Sequence, residues 1–238
     1  MNLQNAVSSP EAEVSPDPVN PPDIGMKGQR TRAQLVTAAR EIFAEKGYFS
    51  SRLSDITNRV GCSTGTLYTY FRNREDLLAA VIEEAQQSVI HASRAAGVNE
   101  DPVARIYRAN REYIDSYCEN ADLMTVMEQV SWVDPHIKRI RSQRSNAFIE
   151  RNRRSIEKLQ HQGLVEDSLN PHLVSLALSS MVSRLCFHVY VDEKDPVYRT
   201  AAGREELTRT VSELWVKSLN LSRTSDQPSQ DTEDKDNT

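Results

Sequence analysis

The sequence predicts an all-α fold, with a three-helix helix-turn-helix domain on the N-terminal side and a helical bundle after it. Three observations carry that prediction. Apolar residues recur at helical spacing from Arg30 to Leu221, and no stretch alternates convincingly as a strand would. Asp101-Pro102, Asp134-Pro135 and Asn170-Pro171 each set an N-cap acceptor before a proline suited to the first helical position. Gly47, Gly61 and Gly163 stand where helices should end, because a C-terminal cap takes the left-handed conformation that glycine adopts freely.

In chain order, helices are expected near 29–46, 53–60, 64–70, 74–96, 102–119, 121–131, 135–162, 171–191 and 202–220. Leu35, Ala38, Ala39, Ile42 and Phe43 give the first helix one buried face. Leu53, Ile56, Thr57 and Val60 give the second a matching stripe. Gly61-Cys62-Ser63 is then a tight turn in which Ser63 caps the third helix, whose Leu67, Tyr70 and Phe71 pack back on the other two. The later helices are mostly long, as in a bundle. The helix at 171–191 is apolar nearly all round; with Leu207, Val211, Leu214, Trp215 and Leu219 on the last helix, the excess apolar surface asks for a partner chain. Asp195-Pro196 opens either a further helix or a turn, and Asp192 to Gly203 reads as a flexible loop.

Composition divides the chain further. Residues 1–25 hold five prolines, four acids and no Lys or Arg, and residues 222–238 are polar and acidic; both are expected to be disordered tails. The helix-turn-helix domain then takes 26–76 and the bundle 77–221. No apolar run approaches the length of a bilayer span, and no secretory signal opens the chain, so no membrane partner is expected. Cys62, Cys118 and Cys186 are odd in number and widely spaced, which suits free thiols in a reducing cytoplasm. The net charge of −5 argues against a nucleic-acid partner only until it is resolved along the chain. Between Met26 and Asp76 nine Lys/Arg face five acids, a local net of +4.

Catalytic and metal signatures are missing. The histidines at 91, 136, 161, 172 and 188 show no metal spacing, and no Walker loop or dinucleotide fingerprint is present, so neither a cofactor nor an enzymatic activity is expected. Residues 61–65 formally match the G-x-S-x-G nucleophile elbow, but that motif needs a strand before it, and here a helix precedes it.

The third helix leaves Thr64, Gly65, Thr66, Tyr68 and Thr69 exposed: small or polar groups with no acid among them. A short helix entering the major groove needs such a surface, and the surrounding arginines, Arg52 among them, can neutralise phosphates. The stretches Gly47-Tyr48-Phe49-Ser50-Ser51-Arg52-Leu53-Ser54-Asp55-Ile56, Val60-Gly61-Cys62-Ser63-Thr64-Gly65-Thr66-Leu67-Tyr68-Thr69-Tyr70-Phe71 and Arg74-Glu75-Asp76-Leu77-Leu78 closely resemble the DNA-binding domain of tetracycline-repressor (TetR) family regulators. The resemblance covers about residues 30–80; beyond them it extends to architecture alone. It implies that Tyr68 contacts phosphate and that Arg74 stands where a phosphate-binding lysine is usual. Thr64, Gly65, Thr66, Thr69 and Tyr70 match recognition-helix positions, and Ser54 an occasional base-reading position. Thr57 and Cys62 depart from the usual alanine and valine, as substitutions the fold should tolerate. The resemblance also implies a two-fold dimer built from the helices near 171–191 and 202–220.

The second domain offers a candidate ligand site. Tyr107, Tyr113, Tyr117, Met124, Met127, Trp132, Phe148 and Phe187 supply aromatic and soft side chains, some as core and some as the lining of a lipophilic cavity. Lys138, Arg139, Arg141, Arg144, Arg151, Arg153 and Arg154 form either a solvated helix face or an anion-binding surface, with Arg144 in line with the apolar Ile137, Ile140 and Phe148. Arg184 and His188 interrupt an apolar helix: a buried arginine would need Glu128 or a ligand carboxylate, and the alternative is a satisfied structural pair or a side chain that snorkels to water. The resulting expectation is a homodimeric repressor that binds a palindromic double-stranded DNA operator and is released by a small lipophilic or acyl-CoA-like effector. An activator or co-repressed regulator of the same fold is the first alternative. A helical ligand-binding protein that has lost DNA binding is the second.

Overall fold

The computed structural model describes residues 25–93 and 101–221, with the backbone alone for 86–93. The expected tails fall outside the described residues except for Gly25, as does any part of the fourth helix beyond Ser93. Nine α-helices and no strand occur among the described residues. They are α1 (Met26–Lys46), α2 (Leu53–Val60), α3 (Thr64–Tyr70), α4 (Arg74–Ser93), α5 (Pro102–Glu119), α6 (Ala121–Ser131), α7 (Pro135–His161), α8 (Pro171–Tyr190) and α9 (Ala201–Ser218).

The helix starts follow from side-chain chemistry. Asp101 accepts from the Ala104 amide, Asp134 from Ile137, Asn170 from Leu173 and Ser63 from Thr66, each satisfying an amide that the first turn leaves unpaired. Gly61 closes α2 at φ 75° and ψ 34°, the left-handed geometry a side chain would resist.

α1 to α3 fold around a small apolar core. Leu35, Ala39, Ile42 and Phe43 of α1 meet Ile56 of α2, Leu67 of α3 and Leu77 and Leu78 of α4, all buried. Burying a leucine or isoleucine contributes roughly 1.5–3 kcal/mol, so this cluster dominates the domain's stability. Thr57 is buried as well, and its hydroxyl donates to the Ser54 carbonyl at 3.3 Å, which explains why a polar residue is accommodated there. Outside the core, Arg59 grips Glu45 at 2.7 Å and Lys46 grips Asp55 at 2.9 Å, tying α1 to α2.

α4 leaves this domain and packs on α5 and α7. In the second domain α7 lies on α8 and α5 on α9, while α6 reaches back to α1. Ser175 and Ser179 let α8 sit close to α7: Ser175 donates to the Ile149 carbonyl at 2.6 Å, and Asn152 donates to Ser179 Oγ at 3.0 Å.

Two expectations require correction. The segment 192–203, read as a flexible loop, contains a 3-10 turn at Pro196–Arg199 seated on α9 at Gly203. A Cβ on Gly203 would meet the Val197 carbonyl oxygen at 2.1 Å, so the glycine is there for backbone contact. Second, α8 is by length and composition apolar enough to cross a membrane, which the sequence reading denied. Its serines are scattered through the helix, so no unbroken apolar run marks it, although its mean hydropathy over 18 residues is high.

Candidate nucleic-acid interface and ligand cavity

α3 is held from behind and open in front. Leu67 is wholly buried and Tyr70 half-buried, while Tyr68 keeps 54% of its surface exposed. Thr64, Gly65 and Thr69 are exposed, with Thr66 half-buried behind Ser63. Ser63 also meets the Thr66 hydroxyl at 3.0 Å, and Thr69 donates to the Gly65 carbonyl at 3.2 Å, so the hydroxyl groups of this face are oriented before any partner arrives. Tyr70 contributes mainly to packing against the core.

Several cations of the first domain sort into two groups. Arg59 is occupied by Glu41 and Glu45, and Arg72 by Asp76 at 2.6 Å, which holds the Asp76 carboxyl below its usual range. Lys27, Arg30 and Arg52 are exposed and carry no ion pair among the described residues. Ser54, beside Arg52 at the start of α2, is exposed too.

Arg74 has partners of its own. Its two terminal nitrogens donate to the Tyr48 carbonyl at 2.8 Å and the Ser51 carbonyl at 3.1 Å, and its guanidinium lies 4.5 Å from the Tyr48 ring centroid. The side chain expected to meet phosphate is thus a clamp on the loop between α1 and α2. The Tyr48 hydroxyl in turn donates to Glu75 at 3.2 Å. Sequence spacing placed Arg74 at the head of α4, but the carbonyls it finds belong to a turn whose path only the fold reveals.

In the second domain a cavity of about 570 Å³ opens between α5, α6, α7 and α8, a volume suited to a drug-sized ligand. The structure brings together Tyr113, Tyr117, Met124, Met127, Glu128, Arg144, Phe148, Arg184 and Phe187 of the expected lining. Phe148 stacks against Tyr113 with ring centroids 4.8 Å apart, and burial raises the Tyr113 and Tyr117 hydroxyl pKa values above the ordinary range.

Three expected residues lie elsewhere. Trp132 is 80% exposed on the turn after α6, because that helix ends one residue before it. Tyr107 donates to Glu213 at 2.6 Å, joining α5 to α9. His188 meets Asp195 at 3.1 Å beside the 3-10 turn. Of the alternatives for Arg184, the structure shows the exposed one: its side chain is 71% exposed at the cavity edge and pairs with Asp192 at 3.7 Å, while Glu128 belongs to Arg141 at 2.5 Å. An arginine among apolar neighbours in sequence need not be buried when one face of its helix is uncovered.

The sequence reading had no signal for Ser145, Ser179, Ser180 and Ser183, which also line the cavity. They matter by being small, and volume left empty leaves no periodicity.

The model of the family described as bacterial regulatory proteins, tetR family, matches residues 35–81. Over 60 residues the chain is 42% identical to the fatty acid metabolism regulator protein of Bacillus subtilis (strain 168), covering 25% of this chain and 31% of that protein. It is 32% identical over 65 residues to the HTH-type transcriptional activator FasR of Mycolicibacterium smegmatis (strain ATCC 700084 / mc(2)155), covering 27% of this chain and 30% of that protein. The chain therefore aligns with about a third of the length of these relatives. A TetR-family transcriptional regulator of Syntrophomonas wolfei str. Goettingen superposes with a TM-score of 0.66 at 21% identity, over 81% of this chain and 96% of that one. At that identity the likeness is one of fold.

Proposed function

We propose that the chain, whose residues 35–81 match the model of bacterial regulatory proteins, tetR family, is a ligand-responsive transcriptional repressor of that family. In this reading a homodimer binds a palindromic DNA operator through α3 and releases it when a small lipophilic or acyl-CoA-like effector enters the cavity. The observation that carries DNA binding is the acid-free outer face of α3, with Tyr68 projecting, and Lys27, Arg30 and Arg52 of the same domain exposed and without an ion pair among the described residues. Gly65 supports it. A Cβ there would meet only Ser63 Oγ at an ordinary 3.6 Å, so nothing inside the chain requires the missing side chain, whereas close approach to a phosphate backbone does.

Dimerisation is supported by Leu173 at 59% exposure, Leu176 at 39% and Leu214 at 42%, apolar groups on α8 and α9 that a second copy would cover. Two-fold symmetry then pairs with a palindromic operator. For the switch, α6 is the connecting element. Met124, Met127 and Glu128 face the cavity, while Arg40 of α1 donates to the Glu119 carbonyl just before α6 at 3.1 Å and pairs with Asp122 at 3.7 Å. A ligand that prefers one setting of α6 shifts α1, and with it the separation of the two α3 helices, by its differential binding energy.

The test is fluorescence anisotropy on DNA fragments tiling the protein's own promoter at several salt concentrations. Selective binding that falls with added salt is expected. Tyr68→Phe should weaken it several-fold with an unchanged melting temperature. Arg74→Ala should weaken it and also lower the melting temperature, because the Tyr48–Ser51 loop loses its clamp. Equal, salt-insensitive affinity for every fragment would remove the regulator reading. A relative named as an activator favours a second reading, of an activator with the same fold, and the sign of the effector's change in promoter output decides between them.

A further inference from the structure

Charge inside the cavity is unequally satisfied. Arg141 pairs with Glu128 at 2.5 Å and also donates to Ser131 Oγ, so that cation is committed. Arg144, nearly one turn on, is half-buried, and the acceptor it finds is the Met124 thioether at 3.2 Å. A thioether accepts weakly, and a guanidinium partly withdrawn from water without a carboxylate pays a desolvation cost that an incoming anion would offset. Arg151 lies two turns beyond on the same side of α7, its guanidinium 5.2 Å from the Phe148 ring centroid, and it holds no ion pair among the described residues. The nearby carboxylates are engaged: Glu112 by Arg108 at 2.9 Å, and Glu150 by Arg153 and Arg154. The α7 wall therefore presents two cations without an ion pair among the described residues, Arg144 and Arg151, together with an aromatic ring that stacks on Tyr113.

Taking the cavity as the effector site, we propose that it receives an amphiphilic anion. The apolar body lies over Phe148 and Tyr113 towards Met127 and Phe187, and the carboxylate or phosphate seats on Arg144, with Arg151 adding attraction for the same charge. Arg141 plays no part, because Glu128 already neutralises it.

The test uses the full chain and two fluorescent probes that share one aromatic body, the anionic 1-anilinonaphthalene-8-sulfonate and the uncharged N-phenyl-1-naphthylamine. The native protein should bind the sulfonate at least about tenfold more tightly, the scale of a charge-assisted hydrogen bond. Arg144→Gln should erase most of that ratio while moving the uncharged probe by no more than about twofold, as fits loss of an ionic contact rather than of packing. Arg139→Gln, on the exposed side of α7, should move neither. Arg144→Lys, which keeps the charge, should retain part of the preference even if the glutamine variant fails to fold. Equal binding of the two probes by the native protein, or a ratio unmoved by Arg144→Gln, overturns the proposal.

Displacement of the bound sulfonate identifies the source of the anion. Hexadecanoate displacing it points to a free acid, and hexadecanoyl-coenzyme A displacing it points to a phosphate-bearing thioester; hexadecanol doing so equally well overturns the anion requirement. Operator binding measured in the same samples separates this inference from the effector reading. Anion preference with unchanged DNA affinity refutes the effector reading alone, whereas DNA release by hexadecanol alone refutes the anion requirement alone.

Discussion

The two halves of the molecule are both helical and are built to opposite tolerances. In the first, every turn between α1 and α4 is short, the large apolar side chains of the core are buried, and ion pairs lock one helix to the next. In the second, long helices enclose a cavity of about 570 Å³ and leave leucines on α8 and α9 uncovered. A surface that must match a DNA groove needs one rigid shape, since a small misplacement of α3 would lose its contacts. Under the proposed function the second domain responds to a ligand, and such a site needs slack, because a close-packed core has no second arrangement to shift towards.

That contrast can be broken by truncation. Leu67→Ala removes a wholly buried side chain from the tight half and should cost about 2–5 kcal/mol in urea denaturation, taking DNA binding with it. Phe148→Ala, on a half-buried side chain that already borders empty space, should cost about 1 kcal/mol, because little new cavity is created. Equal costs would mean that the second domain is packed as closely as the first.

Gly203→Ala probes the place where the looser half is tight. Its Cβ would meet the Val197 carbonyl oxygen at 2.1 Å and Tyr198 Cα at 2.5 Å, both backbone, so the 3-10 turn must lift from α9. A loss of about 1–3 kcal/mol in thermal melts is expected, and a neutral result would show that this turn is free to move.

The smallest effect is alkaline. Burial pushes the Cys186 thiol from 9.0 up to about 12. Across that window the unfolded chain has released the proton while the folded chain holds it, so the stability present below about pH 9 declines as pH rises towards 12. Cys186→Ala should flatten the fall in unfolding free energy measured between about pH 8 and pH 10, since the thiol no longer titrates. An unchanged slope would assign the alkaline loss to the buried tyrosines.

Legibility in the sequence follows the same division. The helices and caps were readable because Asp, Asn and Ser act on amides two or three residues away, and the face of α3 because its spacing alone separates Leu67 from Tyr68. The clamp made by Arg74 was not readable because its acceptors at Tyr48 and Ser51 lie a full turn-and-helix earlier in the chain. Trp132, Tyr107 and His188 were placed in the cavity on residue type, although helix termination exposes the first, Glu213 of α9 holds the second and Asp195 beside the 3-10 turn holds the third. The serines of the lining escaped notice because their contribution is absence of bulk.

The α6–α1 strut has a consequence for recombination. Arg40 reaches Asp122 and the Glu119 carbonyl from within the first domain, so a hybrid regulator cut at the boundary of the two domains would inherit half of a joint. On the proposed switch, such a chimera would keep a competent reader and a competent receptor with nothing to carry the message. Crossovers that move Arg40 together with α6 would carry the joint along, and a new specificity could then be grafted without redesigning the DNA-facing surface.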